Sequence, residues 1–140
     1  MNQRLLLDTG PLVALLNGRD QRHDWASLQW AQAAVPLRIC EPVLTEACFL
    51  LRAVPGGAQA VMELLRRRVL EVAFHVEEQL EPLGRLIRKY ATVPMSLADA
   101  CLVRMAEILP ESTVLTLDRD FRLYRKSGRQ VLPVIMPEDS

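Results

Sequence analysis

The chain has 140 residues, enough for one domain with a sizeable core, and half of them are hydrophobic, which excludes global disorder. Its 17 Lys and Arg balance 17 Asp and Glu, so the whole-chain signature of a basic nucleic-acid binder is absent and only a local patch could serve that purpose. Three cysteines, Cys40, Cys48 and Cys101, lie in apolar surroundings without a Cys-x-x-Cys pair. They are expected to be buried small hydrophobes in a reducing cytoplasm. The opening Met1-Asn2-Gln3-Arg4 leads into only three leucines, which is neither a signal peptide nor a membrane span. A cytoplasmic protein with no membrane association is expected.

In chain order, Leu5-Leu6-Leu7 is a short apolar run suited to a central strand, and it delivers Asp8 to the turn Thr9-Gly10-Pro11. Pro11 fits the first turn of a helix that Asn17-Gly18 stops. A second, weakly amphipathic helix is predicted over 21–34, with Asp20 as its N-cap and Pro36 beyond its end. Residues 37–40 read as a second strand. Pro42 opens a helix carrying Val43, Leu44, Ala47, Leu50 and Leu51 along one face, broken by Pro55-Gly56-Gly57. A helix over 58–67 and a strand over 69–74 follow. The next helix, 76–90, has Leu80, Leu83, Ile87 and Tyr90 as its buried side and a start displaced or kinked by Pro82. Ser96 caps another helix, with Asp99 three residues on in a capping-box arrangement, and Pro110 ends it. Residues 113–117 form a β-branched strand, 119–126 a short helix, and 131–135 a last strand that Pro133 confines to a sheet edge. Strands alternating with helices predict an α/β domain with a mainly parallel sheet. The expected domain covers residues 1–136, with a loose tail at 137–140.

Four acids stand out. Asp8 and Asp118 each follow a strand immediately, and ligand sites in open parallel sheets lie beyond the carboxyl ends of strands. Glu46 and Asp99 lie on or beside the apolar faces of helices, where a carboxylate is costly unless it is paired or binds a metal. Each alone has an ordinary structural account, as a turn, a cap, a first-turn acid or a solvated edge residue. Together they form a candidate metal site. Converging carboxylates repel, and a divalent cation removes the conflict; oxygen ligands favour Mg²⁺ or Mn²⁺ over zinc. Such a site suits phosphodiester hydrolysis. No Ser/His/Asp or Cys/His arrangement competes with it, and His23 and His75 are read as structural.

These pieces resemble the PIN domain, and within that family the VapC-type toxins of toxin–antitoxin pairs. The matching segments are Leu5-Leu6-Leu7-Asp8-Thr9-Gly10-Pro11-Leu12, Pro42-Val43-Leu44-Thr45-Glu46, Ser96-Leu97-Ala98-Asp99-Ala100 and Thr116-Leu117-Asp118-Arg119-Asp120-Phe121. Each is short and degenerate; the specificity lies in the ordered set. The resemblance implies a three-layer α/β/α sandwich and Mg²⁺- or Mn²⁺-dependent endoribonuclease activity as the toxin of a type II pair. It implies Asp8 and Asp99 as metal ligands, Glu46 and Asp118 completing the acidic pocket, and hydroxyl contacts from Ser96 and Thr116. It also implies a homodimer and a small inhibitory antitoxin protein as partner. Independently of the resemblance, Arg119, Arg122, Arg125 and Lys126 cluster beside Asp118 and could hold RNA phosphates, though a solvated helix face accounts for them equally well.

Three rival readings remain open at this level. Asp-Thr-Gly after an apolar strand also occurs in aspartic proteases, but those folds are rich in strands whereas helix follows here. A catalytically silent PIN-like binding module would keep the fold alone. Another metal-dependent phosphohydrolase or DNA nuclease would use the same site on a different substrate.

Overall fold

The computed structural model describes residues 4–138. The reading of Met1 to Gln3 and the end of the expected tail, 139–140, lie outside the described residues. A five-stranded sheet in the order β3-β2-β1-β4-β7 forms the centre: β1 Arg4–Leu7, β2 Leu37–Ile39, β3 Leu70–Val72, β4 Ser112–Leu115 and β7 Val134–Ile135. Every pairing in it is parallel. Strand β1 is the middle one, which is why Leu5, Leu6 and Leu7 form an unbroken apolar run and are all buried. Helices cover the sheet in the α/β/α arrangement that the family resemblance implies: α1 Thr9–Leu16, α2 His23–Gln32, α3 Glu41–Leu50, α4 Gly57–Arg66, α5 Leu80–Lys89 and α6 Leu97–Ile108. Helix α6 packs against β1 and β4 and buries Ala98, Leu102, Val103, Met105 and Ala106, the stripe its sequence announces. Among the described residues, no helix is long and apolar enough to cross a membrane.

The strand order locates the functional end of the sheet. From β1 the chain moves outward through β2 to β3, then returns to the other side of β1 as β4. The connections after β1 and β4 therefore diverge, leaving a crevice beyond the paired ends Leu7 and Leu115. Gly10 sits in this crevice. A Cβ there would lie 3.1–3.2 Å from three side-chain atoms of Leu117, so a larger residue at this position fits only if the Leu117 side chain yields by a few tenths of an ångström.

Several local expectations need correction. Helix α2 starts at His23 because the Asp20 side chain accepts from the backbone N–H of Arg22 (2.8 Å), which closes a turn instead of capping the helix. Residues 119–126 are not one helix. A single 3₁₀ turn, Arg119–Arg122, is followed by β5 Arg125–Lys126, which pairs antiparallel with β6 Gln130–Val131. The turn between them places Ser127 and Gly128 at positive φ. The predicted last strand is thus split: its first residue belongs to this hairpin, and β7 alone, beyond Pro133, forms the sheet edge. The stretch before α5 is a 3₁₀ turn, Val76–Gln79, which lets Pro82 fall in the first turn of α5. On the helical faces, Leu50, Leu80 and Ile87 are exposed, whereas Leu86 is buried instead.

Candidate active site

Asp8 is the N-cap of α1. Its Oδ1 accepts from the backbone N–H of Thr9 (2.8 Å), and its Oδ2 accepts from the Thr116 hydroxyl (2.7 Å). Thr116 Oγ1 in turn accepts from the backbone N–H of Asp118 (2.9 Å). One fully buried hydroxyl thus ties the end of β1 to the connection after β4. Asp118 caps the 3₁₀ turn that follows, accepting from the backbone N–H of Asp120 (2.9 Å).

Asp99 enters from the first turn of α6. The capping box with Ser96 is present: Asp99 N–H donates to Ser96 Oγ (3.0 Å), and Ser96 N–H donates to Asp99 Oδ2 (3.3 Å). The same Oδ2 accepts from the hydroxyl of Tyr124 (3.0 Å). Tyr124 is itself fully buried, with edge-on contacts to Tyr90 and Phe121 at centroid distances of 5.0 and 5.2 Å. Tyr124 is the site residue that sequence reasoning missed. It lies in the stretch read as a short helix, and only the fold brings it to Asp99 at the start of α6.

Glu46 is exposed, so the expectation that it faces the core does not hold. Helix α3 turns it towards the crevice, where its Oε2 accepts from the Thr9 hydroxyl (3.0 Å). Asp8, Glu46, Asp99 and Asp118 all line one open cleft of about 480 Å³, together with Thr9, Gly10, Leu50, Pro94, Ser96 and Leu117. Thr116 supports the cleft from below through Asp8. Arg119 and Arg122 are exposed and stand outside its lining. Arg125 turns its guanidinium to the carbonyls of Arg122, Leu123 and Tyr124.

The electrostatics match this crowding. Asp8 is 7% exposed, and burial raises its carboxyl from 3.8 to about 6 against the opposing hydrogen bonds from Thr116 and Thr9; the charges of Asp99 and Asp118 push it the same way. Burial also raises Asp99, assisted by Asp118 and opposed by Ser96 and Tyr124. The cleft presents hard oxygen donors, and neither histidine nor cysteine lines it. Among the described residues, no three acidic, histidine or cysteine side chains draw close enough to make a finished ligand cage.

A parallel α/β/α sheet with acids from two neighbouring strand ends and two flanking helices defines a class of acidic-cleft α/β proteins. The PIN domain family model matches residues 5–127, and the chain belongs to that family. Among solved structures, the crystal structure of the Mycobacterium tuberculosis toxin VapC20, described as cleaving the sarcin-ricin loop, is similar, with a TM-score of 0.77 and 23% sequence identity. The match covers 92% of this chain and 99% of that one. No curated protein sequence gives a significant match.

Proposed function

We propose that the protein is a Mg²⁺- or Mn²⁺-dependent endoribonuclease, the toxin of a VapC-type toxin–antitoxin pair. The observation that carries this reading is the convergence of Asp8, Glu46, Asp99 and Asp118 on one cleft at the crevice between β1 and β4. Membership of the PIN family and the likeness to an RNA-cleaving toxin support it. When bound, the cation supplies Lewis acidity, lowering the pKa of water and offsetting charge on the phosphate.

The chain's own residues do the rest. Asp8 and Asp99 hold the cation. Each keeps one carboxylate oxygen fixed by a buried hydroxyl, from Thr116 and Tyr124 respectively, which orients the group. Glu46 and Asp118 complete the acidic rim. Thr9 anchors Oε2 of Glu46. Ser96 lines the cleft, where its hydroxyl can meet substrate, and Arg119 and Arg122, exposed outside that lining, are the candidates for contacts to phosphates further along the RNA. The same reading takes residues 1–136 as one domain with a tail at 137–140. It makes the protein a cytoplasmic homodimer held inactive by a small antitoxin.

The test is cleavage of RNA and DNA by purified protein in Mg²⁺, Mn²⁺ or EDTA, with Asp8→Asn in parallel. RNA cleavage that EDTA and Asp8→Asn both abolish is expected. Unchanged cleavage by Asp8→Asn places the activity elsewhere. Intact cation binding without cleavage of either nucleic acid favours the silent binding module, and cleavage of DNA alone favours a DNA nuclease.

A further inference from the structure

Glu46, a wall of the acidic cleft, also lines a second, larger cavity of about 680 Å³. Helix α3 contributes Glu41, Pro42 and Thr45; the segment after β3 contributes Phe74, His75, Val76 and Glu77; the start of α6 contributes Leu97 and Ala98. Its volume is in the range of small-molecule sites, and its walls combine the apolar Pro42, Phe74, Val76, Leu97 and Ala98 with polar and acidic side chains. Among the described residues, the side chains of Glu41, His75 and Glu77 form no hydrogen bond or ion pair.

We propose that this cavity is a nucleobase subsite that reads the nucleotide beside the cut. The inference rests on the ribonuclease reading of the neighbouring cleft. A phosphodiester in the acidic cleft places an adjacent nucleoside at the mouth of the cavity, because Glu46 borders both. Three carboxylates on the walls repel a phosphate, so the backbone stays outside and the uncharged base enters. The apolar walls and the imidazole of His75 give the base a surface to stack on, as single-stranded RNA requires. Carboxylates accept and cannot donate. Glu41 and Glu77 therefore favour base edges rich in N–H donors, such as guanine N1–H with its N2 amino group, the adenine N6 amino group or the cytosine N4 amino group. Uracil offers one N–H between two carbonyl oxygens and is disfavoured.

The experiment maps cleavage sites of the metal-loaded wild type and of the Glu41→Gln/Glu77→Gln double variant on a random-sequence RNA pool. In parallel, the His75 imidazole is followed by NMR in each protein during titration with guanosine and with uridine. The wild type is expected to avoid uracil at one fixed position beside the cut, and the double variant to relax this bias by on the order of tenfold while still cleaving. Guanosine is expected to shift the His75 signals of the wild type more strongly than uridine, and the difference to vanish in the variant. An unchanged site profile in an active variant overturns the subsite. So does a His75 signal that responds to neither nucleoside, whatever the protein cleaves. Guanosine binding in a protein that cuts no RNA would instead overturn the ribonuclease reading and leave the cavity as a base-binding site. A variant that cleaves with the wild-type profile but changes sedimentation assigns the cavity to contact between copies of the chain.

Discussion

Asp8 is held ionised at a cost, and that cost has a measurable sign. Its carboxyl titrates near 6 in the folded chain against 3.8 in an ordinary environment, so the folded state binds the extra proton between those values. Stability of the metal-free protein is therefore greatest below pH 3.8 as far as this group is concerned, and falls as pH rises to about 6, by roughly 3 kcal/mol in total. The raised carboxyl of Asp99 adds in the same direction. Denaturation of the metal-free protein across this range should show the loss, Asp8→Asn should flatten it, and saturating Mg²⁺ at neutral pH should restore stability by binding the folded state. The Tyr124 hydroxyl makes a second prediction. Tyr124→Phe keeps the aromatic packing with Tyr90 and Phe121 but leaves Asp99 Oδ2 with Ser96 alone. Titration calorimetry should show Mn²⁺ binding weakened on the order of tenfold, while stability changes by only about 1 kcal/mol. Asp8 and the Ser96–Asp99 box were legible in the sequence because a strand end and a capping spacing are local signals. Tyr124 was not, since its partner is 25 residues away and nothing in its own neighbourhood marks it.

At the scale of elements, hydrophobic runs and their punctuation carried most of the information. Strand β1 and helices α1, α4 and α6 follow from an apolar run, a proline or glycine stop and a cap. The failures share a cause. Leu50, Leu80 and Ile87 fit the periodic stripe of their helices but have no neighbouring element to bury them, which periodicity cannot see. The 3₁₀ turn and hairpin at 119–131 lack periodicity altogether, and the Ser127-Gly128 pair, a turn signal in its composition, was passed over at the end of a supposed helix. The approach of α1 to the segment after β4 is tight at Gly10. Gly10→Ala places a methyl group against Leu117 and should cost roughly 1–3 kcal/mol in denaturant unfolding. Because the clash displaces the residue before Asp118, activity should fall as well. Leu117→Ala in the same chain should recover part of the stability, a coupling that a double-mutant cycle measures.

For the whole molecule, the four acids come from positions 8, 46, 99 and 118, and the sheet order decides whether they meet. The alternation of strands and helices predicts a parallel sheet, but not which strands are neighbours. The return of the chain to β4 beside β1 settles this. It also explains how an electrically balanced chain concentrates negative charge at one end of its sheet: the acids of four distant segments share that crevice. Glu46 shows the limit of the sequence argument. Its inclusion in the set was sound on position, while the reason first given, burial, was not, since it reaches the cleft from an exposed turn of α3.

The pairing of β1 with β4 joins Leu7 to Leu115, and the bond from Thr116 to Asp8 spans 108 positions of the chain. Contacts of such long range close late, after the intervening loop has been ordered. During synthesis, β1 must wait with one edge unpaired until β4 has been made. The cleft therefore has no earlier, partial form: a nascent chain that ends before residue 112 contains Asp8, Glu46 and Asp99 but no β4 to frame the crevice. On the proposed ribonuclease reading, activity is gained only once the fold is nearly complete.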